Sequence, residues 1–95
     1  MDFRELKAEL KELVKGINLN DPNWNWKLNK VCKERAFIEW GYLNYLNESK
    51  NCFYVQYSKD AECLATYTPS DEIIDIADTL EEAVLQIAHY AHSRY

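Results

Sequence analysis

Glycine is scarce in this chain of 95 residues, with Gly16 and Gly41 the only two. A loop that cradles phosphates needs several glycines close together, so P-loop and dinucleotide-binding patterns are excluded. There are three cysteines, Cys32, Cys52 and Cys63, an odd count with no C-x-x-C spacing. That pattern supports neither a zinc ribbon nor a redox dithiol nor a disulfide scaffold. It points to reduced thiols in a cytoplasm, the protein's own or a host's. No apolar run approaches the roughly 18 residues of a membrane span. The charged opening Met1-Asp2-Phe3-Arg4-Glu5 is not that of a signal peptide. Positive charge is also in deficit: 11 basic residues stand against 16 acidic ones, a net charge of −5. Binding to nucleic acid is dominated by cationic contacts to phosphate, so this balance argues against such a ligand.

Apolar residues make up 47% and charged residues 28%, the balance of a globular chain, and the length fits one domain over residues 1–95. Phe3, Leu6, Leu10, Leu13, Val14 and Ile17 recur at three- and four-residue steps, one stripe of a helix. Asp2 and Glu5 have the spacing of a capping box, and Gly16 is a natural stop, so the expected helix covers about residues 2–15. A loop follows over residues 18–25. Trp24, Trp26 and Leu28 then alternate with Asn25 and Lys27, the period of a strand. Residues 30–46 fit either element; Gly41 and the aromatic content favour strand from about residue 36. Residues 47–51 read as a turn. Residues 52–57 read as a strand, with Phe53, Val55 and Tyr57 on one face and Cys52, Tyr54 and Gln56 on the other. Residues 63–67 read as a further strand. Ile73, Ile74 and Ile76 form either a fourth strand or one helical turn. Thr79 and Glu82 make a second capping box, opening a helix to about His92 with Leu80, Ala83, Val84, Ile87, Ala88 and Ala91 buried. The expected fold is α+β: helix, antiparallel sheet of three or four strands, helix, with both helices on one sheet face.

Chemistry has few anchors. His89 and His92 lie three apart on the last helix, and with Asp78 or Glu82 could hold a metal, but no third ligand is set by spacing. Position near a helix C-terminus explains the pair more simply. No thiol sits at a helix start or beside a histidine in sequence, as an activated cysteine would. The expectation is a non-catalytic protein without cofactor or metal.

The surface says more. Residues 1–35 carry eight basic and six acidic residues; residues 36–95 carry three and ten. Asp71, Glu72, Asp75, Asp78, Glu81 and Glu82 fall within twelve positions that hold no base. Some of these acids suit a helix N-terminus. As a group they suit docking onto a basic protein surface, because clustered charge raises the encounter rate with an opposite patch. Ten of the 13 aromatic residues lie between Trp24 and Tyr67, more than a one-sided sheet can bury. Trp and Tyr are enriched at protein interfaces, whereas base stacking needs surrounding positive charge. The candidate partner-binding residues are therefore Asp71, Glu72, Asp75, Glu81, Glu82, Trp24, Trp26, Trp40 and Tyr54. The partner class is a basic protein surface, such as that of a nucleic-acid-binding effector, with no direct nucleic acid or membrane contact, and with a homodimer as a further option.

The run Ile73-Ile74-Asp75-Ile76-Ala77-Asp78-Thr79-Leu80-Glu81-Glu82-Ala83 resembles the strand-to-helix step of HicB-like antitoxin domains. In size, charge and shape the chain is similar to the small acidic inhibitor proteins of phages and mobile elements, anti-CRISPR proteins among them. The second resemblance implies an inhibitor of a nucleic-acid-handling complex; the first implies an antitoxin or immunity protein. A small metal- or thiol-dependent enzyme is the third reading.

Overall fold

The computed structural model describes residues 1–20, 25–40 and 51–94, without the side chains of Asn20, Trp40 and Asn51. A 3-10 turn, Phe3–Leu6, leads into helix α1, Lys7–Asn20. Five strands follow: β1 Lys27–Val31, β2 Arg35–Trp40, β3 Asn51–Ser58, β4 Cys63–Tyr67 and β5 Ile73–Ala77. Helix α2, Leu80–Arg94, closes the order. The strands form one antiparallel meander in the order β1-β2-β3-β4-β5. The fold is α+β, as expected, with five strands in place of three or four. No helix among the described residues is long and apolar enough to cross a membrane.

Both helices lie on one face of the sheet, α1 against β1 and α2 against β4 and β5, and they touch each other. Between them and the sheet, Phe3, Leu10, Val14, Ala36, Ile38, Phe53, Val55, Leu64, Val84 and Ile87 are almost wholly buried. Period-2 alternation places Phe53 and Val55 on the core face of β3 and Tyr54 on the other, as the sequence predicts. Leu6 and Leu13 are half-buried at the margin of this core.

Several boundaries differ from the sequence-based expectation. Helix α1 runs through Gly16 to Asn20 because Ile17 continues the buried stripe. Burial of that side chain outweighs the weak helix propensity of one glycine. The Asp2 carboxylate caps the Arg4 N–H and is gripped by the Arg4 guanidinium at 2.7 and 3.0 Å, so its cross-link is to Arg4 and not to Glu5. That contact holds the Asp2 carboxyl at about 2, below its ordinary value. The first strand begins at Lys27, after Trp26, and turns at Cys32–Glu34 into β2, so residues 31–40 take no helix. Residues 73–77 resolve as a strand. Residues 41–50, with Gly41 and the turn expected from 47, lie outside the described residues apart from Asn51, which begins β3.

Asn18 explains how the chain turns from α1 into the sheet. Its side-chain amide donates to the Trp26 carbonyl and its carbonyl oxygen accepts from the Trp26 N–H, both at 2.7 Å. The side chain thus acts as a strand neighbour to Trp26, whose indole packs 6.2 Å from Phe53 and is 2% exposed.

Candidate protein-docking margin at strand β5

Strand register places a continuous row on the sheet face away from the helices. Lys30 of β1 stands beside Phe37 of β2, then Tyr54 of β3, Tyr67 of β4 and Ile73 of β5. The Tyr54 and Tyr67 rings stack at 4.8 Å, Phe37 lies 5.5 Å from Tyr54, and the Arg35 guanidinium sits 5.1 Å over the Tyr54 ring. A parallel row runs Arg35, Gln56, Ala65, Ile76. At the β5 end both rows finish in exposed isoleucines, Ile73 at 60% and Ile76 at 57%.

The turn before β5 is built on Thr68, which is 5% exposed. Its hydroxyl accepts from the Ser70 and Glu72 N–H groups, its N–H donates to the Glu72 carbonyl, and its carbonyl accepts from the Asp71 N–H. This geometry sets Asp71 at φ 66°, a left-handed conformation that Asp tolerates better than most residues. The Asp71 carboxylate then accepts from the Tyr54 hydroxyl at 2.8 Å. Burial, and next the bond to Asp71, push the Tyr54 phenol above its ordinary value. Two candidates 17 positions apart in sequence are thereby joined into one feature.

The remaining acids divide by role. Asp75 accepts from the Ile76 N–H at 2.8 Å, and the Gln86 amide of α2 donates to the Ile76 carbonyl at 2.7 Å. Those two side chains satisfy backbone groups at an outer strand, where open pairing positions invite other chains. The Glu82 N–H donates to the Thr79 hydroxyl, the cap the sequence predicts, while the Glu82 carboxylate reaches back one residue further than in a capping box and accepts from the Asp78 N–H. Glu72 and Glu81 are exposed. Glu81 borders the groove between α1 and α2 and also lies beside Thr79, Glu82 and Gln86. The acids are therefore spread along β5 and the start of α2 over roughly 17–20 Å, at about 3.3 Å per strand residue, and do not form one compact cluster.

The aromatic candidates need correction. Trp26 is in the core, on the helix side of the sheet, because Asn18 draws its backbone inward; it is no surface anchor. Tyr54 is 6% exposed, covered by its neighbours in the row, and contributes through its hydroxyl bond to Asp71. Trp24 and the Trp40 side chain lie outside the described residues. Sequence reasoning passed over Ile73, Ile76, Tyr67 and Phe37. Parity marks Phe37, Tyr67 and Ile76, each opposite its strand's core residues, whereas Ile73 shares the parity of buried Ala77 and reaches this face only through the register shift between Thr66 and Tyr67.

Groups suited to bond-making chemistry are dispersed. Cys52 and Cys63 share the parity of Tyr54, so the sheet lies between them and the histidines of α2. Among the described residues no three His, Cys, Asp or Glu side chains are placed to hold a metal ion. No protein-family model, no curated protein and no solved structure matches this chain.

Proposed function

We propose that this chain is a non-catalytic inhibitor that seats its β5 margin on a basic protein surface, of the kind a defence nuclease complex uses to hold nucleic acid. The observation that carries this reading is the pair Ile73 and Ile76. Two isoleucines on one sheet face stay more than half exposed inside a segment with six acids and no base. Burying such side chains is worth about 1.5–3 kcal/mol each. Apolar centres rimmed by charge are the anatomy of a protein interface. Carboxylates pinned by Tyr54 and by the strand backbone hold their charge in place before a partner arrives, which limits the ordering cost of association.

The test is a plasmid-interference assay in cells carrying a DNA-cleaving defence complex. Expression of the parent chain restores transformation, and the pair Glu72→Lys with Ile76→Lys abolishes the effect while the fold persists. Asp71 and Asp75 are avoided because each holds an internal hydrogen bond. With the purified complex, the on-rate falls as salt rises, since screening shortens to about 8 Å at physiological ionic strength. Full inhibition by the double variant refutes the β5 margin as the interface. A second reading draws on the step from β5 through Thr79 to α2, the arrangement that the antitoxin resemblance implies. Rescue of growth from a co-expressed toxin, without any effect on interference, favours it.

A further inference from the structure

Charge on the sheet face away from the helices is sorted by strand. On β1 and β2 stand Lys27, Lys30 and Arg35, all exposed. Glu39, the acid beside Lys27, is half-buried and accepts from the Asn29 amide at 2.8 Å. At the β5 end stand Asp71 and Glu72, also exposed, and the Tyr54 hydroxyl holds Asp71 over this face. Ile73 and Ile76 lie beside those acids, 60% and 57% exposed. Half-buried Phe37 and Tyr67 stand between the two charged ends.

We infer that this face pairs with the same face of a second copy, in a two-fold dimer where the β1 side of each sheet covers the β5 side of the other. Symmetry and charge together select this arrangement. Two identical faces close into a pair only about a two-fold axis lying in the plane between them. An axis across the strands lays β1 on β1 and β5 on β5, like charge on like. An axis along the strands, over β3, lays β1 on β5. Lys30 of one copy then stands over Ile73 of the other, because the two occupy opposite ends of one row. Glu72, the residue before Ile73, comes within reach of the Lys30 ammonium, and the contact occurs twice by symmetry. The strands of the two sheets then cross at about 30°, an ordinary angle for stacked sheets.

A second copy supplies the basic surface that the β5 acids call for, at a matching spacing, since the same row sets both separations. Five strands at about 4.8 Å, with outer strands of five residues at about 3.3 Å each, give a face of roughly 400 Å². That is about half of a standard interface per partner, so the dimer is weak and reversible. It covers the isoleucines that the β5 margin offers to a partner, so it dissociates before that margin engages. The inference does not rest on the inhibitor reading, because it follows from the charge pattern of the face alone.

Sedimentation equilibrium of the intact chain, from micromolar to millimolar concentration, tests it. The expected result is a monomer–dimer equilibrium that weakens as salt rises. Lys30→Glu alone and Glu72→Lys alone each weaken it by about tenfold or more, because each sets like charges together. The two reversals in one chain restore it to within about threefold of the parent, with the net charge unchanged. Ile73→Ser, which alters no charge, also weakens it by about tenfold. Amide NMR shifts between dilute and concentrated samples centre on Lys30, Tyr67 and Ile76 and leave Leu85 of α2 in place. A chain that stays monomeric at millimolar concentration overturns the inference. So does a double reversal no better than either single one, a dimer insensitive to salt, or shifts centred on α2. Every readout uses the pure chain, so failure here leaves the inhibitor reading to its interference assay. Failure of that assay likewise leaves the dimer to sedimentation.

Discussion

Replacing Asn18 should unfasten the first crossover of the fold. The Asn18 amide makes two 2.7 Å hydrogen bonds to the backbone of Trp26, a residue 2% exposed. Each is worth about 1–1.5 kcal/mol net, and more when the abandoned backbone group stays dry. Asn18→Ala also gains about 0.6 kcal/mol of helix propensity in α1. The balance is a loss of about 2–3 kcal/mol, a large share of the roughly 5–10 kcal/mol that holds a chain of this size. At about 4–8 °C per kcal/mol, the melting temperature should fall by roughly 10–20 °C. Urea unfolding followed by tryptophan fluorescence measures the loss. Asn18→Asp sharpens the test. Its carboxylate still accepts from the Trp26 N–H but faces the Trp26 carbonyl oxygen with no proton to donate. Protonation restores the donor, so the folded-state pKa of this aspartate must lie above its unfolded value near 3.9. The stability that the protonated form contributes is then present below about pH 4 and lost as pH rises through the folded pKa. The reasoning is refuted if Asn18→Ala lies within about 0.5 kcal/mol of the parent, or if Asn18→Asp tracks the parent across pH 3–7.

Two further outcomes follow from the same structure. The raised Tyr54 phenol contributes stability that is present below about pH 10 and lost as pH rises through its folded pKa; Tyr54→Phe should remove that alkaline loss, and Asp71→Asn should move the phenol titration, read by ultraviolet absorbance, back toward its ordinary value. Leu10→Ala, at a wholly buried site, should cost about 2–4 kcal/mol in urea titrations with little change in the circular dichroism spectrum.

Local signals in the chain determined much of this architecture. The apolar stripe from Phe3 to Ile17, the Thr79–Glu82 cap and the alternation from Cys52 to Tyr57 each follow from nearest-neighbour geometry, because helix and strand periods depend only on residues a few positions apart. The length of α1 did not follow, since only packing shows that Ile17 reaches the core and carries the helix through Gly16. Composition marked Trp26 and Tyr54 as interface residues. Tertiary contacts placed one beneath Asn18 in the core and closed the other under Tyr67 and Phe37. The acids after Tyr67 were legible as a charged segment. Their division among a phenol bond at Asp71, a strand edge at Asp75, a helix cap at Glu82 and a groove wall at Glu81 was decided by the turn on Thr68 and the packing of α2 on β5. Charge is a property of residue type, whereas the partner of a charge is set by which distant backbone and side chains the fold brings within about 3 Å.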